Sequence, residues 1–154
     1  MKTPSSIDKL ISRDKKTDEY LEEVDRHLRP YMIKATKKVP KVYPLQDGVA
    51  FQINTGGKRL RAALCVTSCA MFCGSMMRAL HFAATIEHLQ NFMLIHDDIA
   101  DEDETRRIRE SIWKKYGIGH GINIGDVFIT LSAHSIFDSP YASDLKLRLI
   151  KLIC

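Results

Sequence analysis

The sequence predicts an all-α fold. Apolar residues recur three and four positions apart along most of its 154 residues, and no segment shows the period-two alternation that indicates a half-buried strand. The composition is 45% hydrophobic and 27% charged, which allows a buried core in a single domain covering residues 1–154. Eight glycines and five prolines are spread thinly, which excludes collagen-like and low-complexity proteins.

The first part of the sequence predicts two amphipathic helices. Ser5 and Ser6 are suitable N-caps for a short, separate leading helix within residues 1–14. A second helix is predicted at residues 17–28, and Pro30 kinks or ends it. The apolar positions that share a face in these helices are Ile7, Leu10, Ile11, Tyr20, Leu21, Val24 and Leu28.

Further helices follow, separated by short breaks. Residues 34–44 hold four lysines and two prolines and are predicted to form a loop. Residues 102–110 are nearly all charged and form a second loop, after which Ser111 caps a short turn. Gly56-Gly57 and Gly74 each end a helix. The helices themselves are predicted at residues 45–54, 59–73, 75–100, 119–137 and 143–154.

The composition excludes several classes of protein. The formal net charge of +4 is too small to indicate a nucleic-acid partner. The longest uncharged stretch, residues 62–77, has 16 residues, fewer than the roughly 20 that a membrane span needs. The first 20 residues lack the apolar segment of a signal peptide. Cys65, Cys69 and Cys73 share one helix face, which is typical of buried thiols rather than of a zinc site. We therefore expect a soluble, cytoplasmic protein.

An acidic cluster follows the long helix. Six of the eight residues at 97–104 are acidic, and the apolar segment before them indicates that the cluster emerges from a buried helix. Asp97 and Asp101 share a helix face, and Asp98 lies about 100° around the helix from Asp97. Such carboxylates suit Mg²⁺, which completes its shell with water and phosphate oxygens. The alternative, a solvated helix end paired with nearby arginines, is equally consistent with the cluster alone.

A second set of residues combines glycines with cations. Gly56-Gly57-Lys58-Arg59-Leu60-Arg61 predicts a tight turn followed by a helix N-terminus, where backbone N–H groups favour an anion. Lys58 and Arg61 are three positions apart and are expected to point the same way, which suits a diphosphate. The alternative is a basic helix start that is exposed to water. Arg106-Arg107, five residues after Asp101, either form surface ion pairs or bind the same phosphates.

In these residues the chain resembles the trans-prenyltransferases, also called polyprenyl diphosphate synthases, a family that includes farnesyl and geranylgeranyl diphosphate synthases. The glycine-rich basic segment is similar to the family's GGKRLR segment, and Asp97-Asp98-Ile99-Ala100-Asp101 is similar to its first DDxxD motif. Arg106-Arg107 stand at the family's spacing, and Asn123-Ile124-Gly125-Asp126 is similar to its NxGD. The four motifs occur in the family's order, and the resemblance covers about residues 15–154.

The resemblance implies the N-terminal half of an antiparallel helical bundle of the isoprenoid synthase type, built around an apolar cavity. The implied reaction is head-to-tail condensation of an allylic diphosphate with isopentenyl diphosphate, dependent on two or more Mg²⁺ ions. By resemblance, the metal ligands are Asp97 and Asp101 with Asp98 assisting, and Arg106 contacts the allylic diphosphate. The residues implied in binding isopentenyl diphosphate are Lys58, Arg61, Gln90 and Arg107.

In this family, bulk just before DDxxD limits product length. Phe92 and Met93 lie five and four positions before Asp97. They therefore form the expected chain-length pocket, and the large aromatic indicates a short product such as farnesyl or geranylgeranyl diphosphate. The alternative, that Phe92 is an ordinary core aromatic, is equally consistent with the sequence.

The chain also departs from the family. Ile108, Arg109 and Glu110 stand where the family has a glycine and a small loop. Members are about twice as long, and no second aspartate-rich motif follows Asp126, so at least one metal-ligand set is missing. We expect activity only with a separate C-terminal half, in a homo- or hetero-oligomer. Two alternatives stay open: a non-catalytic, diphosphate-binding subunit, and a fragment of a class I terpene cyclase, which would have less reason to keep the basic segment.

Overall fold

The structure is a computed structural model that describes residues 6–73 and 75–153. Within these ranges the side chains of residues 6–15, 73 and 76 are not described. The predicted cap at Ser5, the helix stop at Gly74 and the side chains of Ile7, Leu10, Ile11 and Cys73 therefore lie outside the described residues.

The described part of the chain is almost entirely helical, which confirms the predicted fold class. Seven α-helices are joined by loops, two single turns of 3₁₀ helix and one small hairpin. The helices are α1 (Ser6–Ala35), α2 (Leu45–Asn54), α3 (Leu60–Cys73), α4 (Leu80–Ala100), α5 (Ile112–Tyr116), α6 (Ile118–Phe137) and α7 (Ser143–Ile153). The 3₁₀ turns are Thr36–Lys38 and Met76–Ala79.

The prediction of two helices at the start of the chain is wrong for the described residues. One helix, α1, runs from Ser6 to Ala35 without a break. Residues 14–17 contain neither glycine nor proline, so nothing in the local sequence ends the first segment. Pro30 lies inside α1 on its exposed side, where water can satisfy the carbonyl that the proline leaves without a donor.

The core is built around α4 and α6, which make the most extensive helix–helix contact. Two glycines permit close approach here. A Cβ at Gly125 on α6 would overlap the His96 imidazole on α4, and a Cβ at Gly48 on α2 would overlap Ile124 on α6. The side chains that fill this core include Leu28, Met32, Val49, Ile53, Ile95, Ile124, Phe128 and Leu131.

The predicted loop at residues 102–110 contains a hairpin. Strand β1 (Thr105–Arg106) pairs antiparallel with β2 (Arg109–Glu110). Arg107 and Ile108 form its two-residue turn and both have positive φ, 53° and 68°, as a type I′ turn requires. The hairpin turns the chain back, so that the residues after the acidic cluster return toward the bundle.

Helix α7 packs differently from the others, because none of its residues is buried. Leu145, Leu149 and Leu152 share a face as predicted, yet Leu152 is 75% exposed. None of the helices within residues 6–73 and 75–153 has the length and hydropathy to cross a bilayer.

Candidate active site

The acidic cluster lies where α4 ends. The Asp101 N–H donates to the Asp97 carbonyl at 2.8 Å, and the Asp103 N–H donates to the Asp98 carbonyl at 2.9 Å. Glu102 then takes a left-handed backbone, with φ of 57°, which turns the chain out of the helix. Asp97 and Asp101 are exposed one turn apart, whereas Asp98 is buried. The helix therefore presents two carboxylates to solvent and turns the third inward.

The buried carboxylate, Asp98, is bound by the protein itself. The Arg106 guanidinium donates through Nε and Nη2 to Asp98 Oδ1, and Asp103 lies 3.9 Å from the same guanidinium. The hydrogen bond to Asp98 raises the pKa of Arg106 above its usual value. Two residues predicted to contact metal and allylic diphosphate are thus joined in an ion pair that anchors the hairpin to α4.

The backbone of the glycine turn differs from the helical geometry that the prediction assumed for Lys58 and Arg61. Gly57 and Arg59 have φ values of 139° and 52°, so helix α3 begins only at Leu60, after Lys58. The helical spacing used in the prediction therefore does not apply. Lys58 borders a cavity against α1, and Arg61 borders an apolar groove.

Arg59, which the sequence did not single out, is the buried residue of this turn. Its side chain is 2% exposed and forms ion pairs with Asp25 of α1 and Glu87 of α4. Glu87 also accepts from the Ala62 N–H at 3.4 Å, so a protein carboxylate already occupies the N-terminus of α3. One signal in the sequence could have identified this ion pair. Glu87 is the sole acidic residue between positions 80 and 96, so it needs a cation as partner inside an otherwise uncharged helix segment.

Arg107 brings the two sets of residues together. A Cβ on Gly57 would lie 2.5 Å from Arg107 Nη1, so the guanidinium rests on the glycine turn. Partial desolvation lowers the pKa of Arg107, and the nearby Arg59 and Arg106 cations lower it further. Because the hairpin carries both arginines, Arg106 reaches the acidic end of α4 while Arg107 reaches the turn before α3.

The charged residues of the glycine turn, the acidic cluster and the hairpin fall into two groups, those with an ion-pair partner and those without one. Arg59, Arg106 and Asp98 have ion-pair partners. Within the described residues, no ion pair involves Lys58, Arg61 or Arg107, nor Asp97, Asp101 or Glu102. A ligand can therefore bind these groups without first breaking an ion pair among the described residues.

The carboxylates of Asp97 and Asp101 suit a Mg²⁺ ion that is bound partly by a ligand and water. They do not suit a metal ion that only protein side chains hold. Among the residues that the structure describes, no group of three or more His, Cys, Asp or Glu side chains could hold a metal ion. Asp97 and Asp101 offer two exposed carboxylates one turn apart. Mg²⁺ is commonly bound by one or two carboxylates together with water and phosphate oxygens. The two aspartates match that pattern.

The remaining predicted site residues lie on α4. Gln90 is half-buried, and Met93 is 53% exposed. Phe92 packs on the core and on the His96 ring, with the ring centroids 4.6 Å apart. His96 Nε2 lies 3.4 Å from Asp126 Oδ1 of α6. Phe92 therefore has the surroundings of a packing aromatic.

An apolar groove of about 790 Å³ runs between α3, α4 and α7. Arg61 stands on its border, and neither Phe92 nor Met93 is among its lining residues. Cys65 and Cys69 lie in its wall, and burial raises the pKa of the Cys65 thiol to about 11, with a further contribution from Cys69. The other lining residues include Leu64, Phe72, Phe82, Ile86, Leu145 and Leu149.

Comparisons with known proteins agree with the motifs. The polyprenyl synthetase family model matches residues 44–153. A geranylgeranyl diphosphate synthase of Sulfolobus acidocaldarius is 39% identical over 89 residues, which are 58% of this chain and 26% of that protein. A dimethylallyltranstransferase of Fischerella ambigua is 32% identical over 137 residues, covering 81% of this chain and 39% of that protein.

The fold comparison extends over nearly the whole chain. The crystal structure of a geranylgeranyl pyrophosphate synthetase from Pyrococcus horikoshii superposes with a TM-score of 0.84 at 25% identity. The match covers 92% of this chain and 43% of that one. The chain thus spans less than half the length of these three proteins. With its family model matched over most of its residues, the chain belongs to the polyprenyl synthetase family.

Proposed function

We propose that this chain forms the diphosphate-binding half of an active site that condenses an allylic diphosphate with isopentenyl diphosphate. One observation supports the proposal most strongly. In the two motifs, the charged residues without an ion-pair partner among the described residues include Asp97, Asp101, Lys58 and Arg107. Unpaired cations and unpaired carboxylates, linked by the hairpin that joins the two segments, suit a ligand that carries both phosphate groups and a divalent ion.

Each charged group has a distinct part in this proposal. Lys58 and Arg107 would bind the diphosphate of isopentenyl diphosphate, with Arg61 and Gln90 contributing at its edge. Arg106, held by Asp98, would contact the allylic diphosphate from the opposite side. Mg²⁺ on Asp97 and Asp101 would supply positive charge to the allylic diphosphate. Asp98 would act mainly by holding Arg106, because its carboxylate is already paired.

The reaction breaks one bond and forms another. The allylic C–O bond breaks with its electron pair on the diphosphate, and the double bond of isopentenyl diphosphate attacks the allylic carbon. A proton is then lost to restore a double bond. Arginine cations positioned before the reaction stabilise the charge that develops on the leaving diphosphate, and this effect is strongest where water is excluded. The apolar groove between α3, α4 and α7 would hold the prenyl chain.

The whole assembly is proposed as a cytoplasmic oligomer. Because the chain spans less than half of the two curated relatives described above, turnover would require residues equivalent to their C-terminal half, which would bring the remaining Mg²⁺ ligands. Phe92 and Met93 are proposed to limit the product length only in that complete cavity.

Calorimetric titration with pyrophosphate, with and without Mg²⁺, tests the binding step. We expect Arg107→Gln to weaken pyrophosphate binding by about ten- to a hundredfold, since a charged hydrogen bond contributes roughly 1.5–3 kcal/mol. Arg148→Gln, an exposed substitution on α7, is the matched control and should bind like the wild type. Asp97→Asn with Asp101→Asn should remove the gain produced by Mg²⁺, and Asp144→Asn is its control.

Turnover is tested with labelled isopentenyl diphosphate, an allylic diphosphate and Mg²⁺, with and without the C-terminal half of a relative. Product in the combined sample alone supports the proposal. Pyrophosphate binding without product in either sample would favour a non-catalytic subunit. A hydrocarbon formed from the allylic diphosphate alone would favour a terpene cyclase. If the wild-type chain binds no pyrophosphate, the proposed function is wrong.

A further inference from the structure

Arg59 is the least exposed cation of the two motifs. Its side chain is 2% exposed, and its backbone φ of 52° is uncommon for a residue other than glycine. Burial of an arginine is costly unless its guanidinium is paired with carboxylates and makes further hydrogen bonds. A cation that satisfies this condition inside a turn places strict limits on where that turn can lie.

Each of the three guanidinium nitrogens of Arg59 donates to a different helix. Nε donates to Asp25 Oδ1 of α1 at 2.9 Å, and Nη1 donates to Glu87 Oε2 of α4 at 3.0 Å. Nη2 donates to the Ile53 carbonyl of α2 at 3.2 Å. The planar guanidinium has its donors in a rigid fork, so these contacts determine both its position and its orientation. The turn is thereby fastened to three helices at once.

The contacts of the two carboxylates extend this arrangement. Asp25 also pairs with Arg29 on α1, and Glu87 accepts from the Ala62 N–H at the start of α3. Glu87 therefore ties the first turn of α3 to α4 independently of Arg59. Loss of Arg59 would leave the start of α3 in place while releasing the preceding residues.

Those preceding residues carry the proposed anion site. Gly57 supports the Arg107 guanidinium, and Lys58 is the residue directly before Arg59. Neither Lys58 nor Arg107 has an ion-pair partner within the described residues that could hold it in place. Their separation depends on the turn, because Lys58 belongs to it and Arg107 rests on it.

We propose that Arg59 is a positioning residue for diphosphate binding: its ion pairs with Asp25 and Glu87 hold the Gly57–Lys58 turn at the correct distance from Arg107. The inference rests on the proposed function, because it concerns the same anion. Arg59 does not contact the diphosphate; it acts through the turn. The affinity for diphosphate should therefore depend on the shape of the Arg59 side chain as well as on its charge.

The test uses two variants and pyrophosphate as the probe. Arg59→Lys keeps the charge but cannot reach three partners at fixed angles. Arg59→Met combined with Glu87→Gln removes the cation without leaving Glu87 buried and unpaired, and the glutamine oxygen can still accept from Ala62. Circular dichroism and thermal unfolding identify which variants fold.

We expect every folded variant to bind pyrophosphate about tenfold more weakly than the wild type, with Arg148→Gln unchanged. In the complemented enzyme, the KM for isopentenyl diphosphate should rise while kcat changes little. Wild-type affinity in either folded variant would overturn the inference, and Arg59 would then serve stability alone. The outcome is distinct from failure of the proposed function, in which the wild-type chain itself binds no pyrophosphate. If Arg59→Lys is the sole folded variant, its affinity decides the question.

Discussion

At the scale of single residues, Ile108 occupies the least favourable backbone conformation near the site. It is fully exposed at the tip of the hairpin with φ of 68°. A β-branched side chain in the left-handed region clashes with its own backbone, at a cost on the order of 1–3 kcal/mol. No burial of Ile108 offsets this strain.

Replacing Ile108 therefore tests the strain directly. We expect Ile108→Gly to raise the free energy of unfolding by about 1 kcal/mol, measured by urea denaturation, because relief of strain exceeds the entropy cost of glycine. The matched control is Ile122→Gly, an exposed isoleucine within α6, which should lower stability by about 1 kcal/mol. Loss of stability in both variants would show that the turn is not strained.

His88 is a second residue with a measurable effect on stability. It is fully buried beside Phe128, and neither ring nitrogen has a hydrogen-bond partner among the described residues. Desolvation, with a smaller contribution from the Arg59 cation, lowers the pKa of His88 to about 3. The unfolded chain, with an imidazole pKa of about 6.5, therefore binds a proton that the folded chain does not.

The free energy of unfolding should consequently decrease as the pH falls below about 6.5. Above that pH, the unfolded chain no longer gains from protonating His88, and the stability is not reduced. We expect the wild type to lose about 2 kcal/mol between pH 7 and pH 5 through His88. His88→Leu should remove that part of the loss in urea denaturation, whereas His120→Leu, an exposed histidine on α6, should not. An equal pH dependence in wild type and His88→Leu would contradict the lowered pKa.

At the scale of secondary structure, glycines set the distance between α4 and α6. His96 of α4 occupies the space that a side chain at Gly125 would fill, and its ring also contacts Phe92. This contact joins the NxGD motif of α6 to the residue before the DDxxD motif. The glycine of that motif thus has a steric reason that is independent of any ligand.

A double-mutant cycle tests this contact. We expect Gly125→Ala to destabilise the protein by about 1–3 kcal/mol, because the added methyl overpacks the interface. Gly125→Ala combined with His96→Ala should recover most of that loss, since the overlapping ring is removed. Gly119→Ala is the control, because nothing lies within 4 Å of its Cβ and alanine favours the helix. A loss for Gly119→Ala as large as that for Gly125→Ala would contradict the steric explanation.

Most helices could be predicted from their apolar spacing, and the exceptions have local causes. The bounds of α2 agree with the prediction, and those of α4 and α6 differ by a few residues. The hairpin could not be predicted, because strands of two residues are too short to show alternation and its turn lacks the usual glycine. Helix α1 continues through Pro30 because the proline lies on the side that faces solvent. The spacing of residues near a proline does not reveal which side that is.

At the scale of the whole molecule, the sequence predicted which charges form the candidate site but not how they pair. Asp25, Arg59 and Glu87 come from three parts of the chain, so their contact could not be inferred from local spacing. Similarly, the approach of Arg107 to Gly57 depends on the hairpin returning the chain to the bundle. Motif resemblance named candidate residues such as Asp98 and Arg106, and the three-dimensional arrangement then showed that these two pair with each other.

The apolar groove between α3, α4 and α7 exposes apolar side chains to solvent, and dye binding can test this. Leu64 and Phe72 line it and are 69% and 92% exposed, so apolar side chains face solvent along α3. Exposed apolar surface of this kind binds hydrophobic dyes and partner surfaces. We expect the chain to enhance the fluorescence of anilinonaphthalene sulfonate, and a long-chain prenyl diphosphate to reverse the enhancement by competition.

Two substitutions locate the dye. Phe72→Ser should lower the enhancement, because the phenyl ring forms part of the groove, while helicity by circular dichroism stays unchanged. Val42→Ser, which removes an exposed apolar side chain from the loop before α2, should leave the enhancement as in the wild type. Equal fluorescence in both variants would place the dye elsewhere. Displacement of the dye by pyrophosphate alone would show that charge, and not the prenyl chain, controls access to the groove.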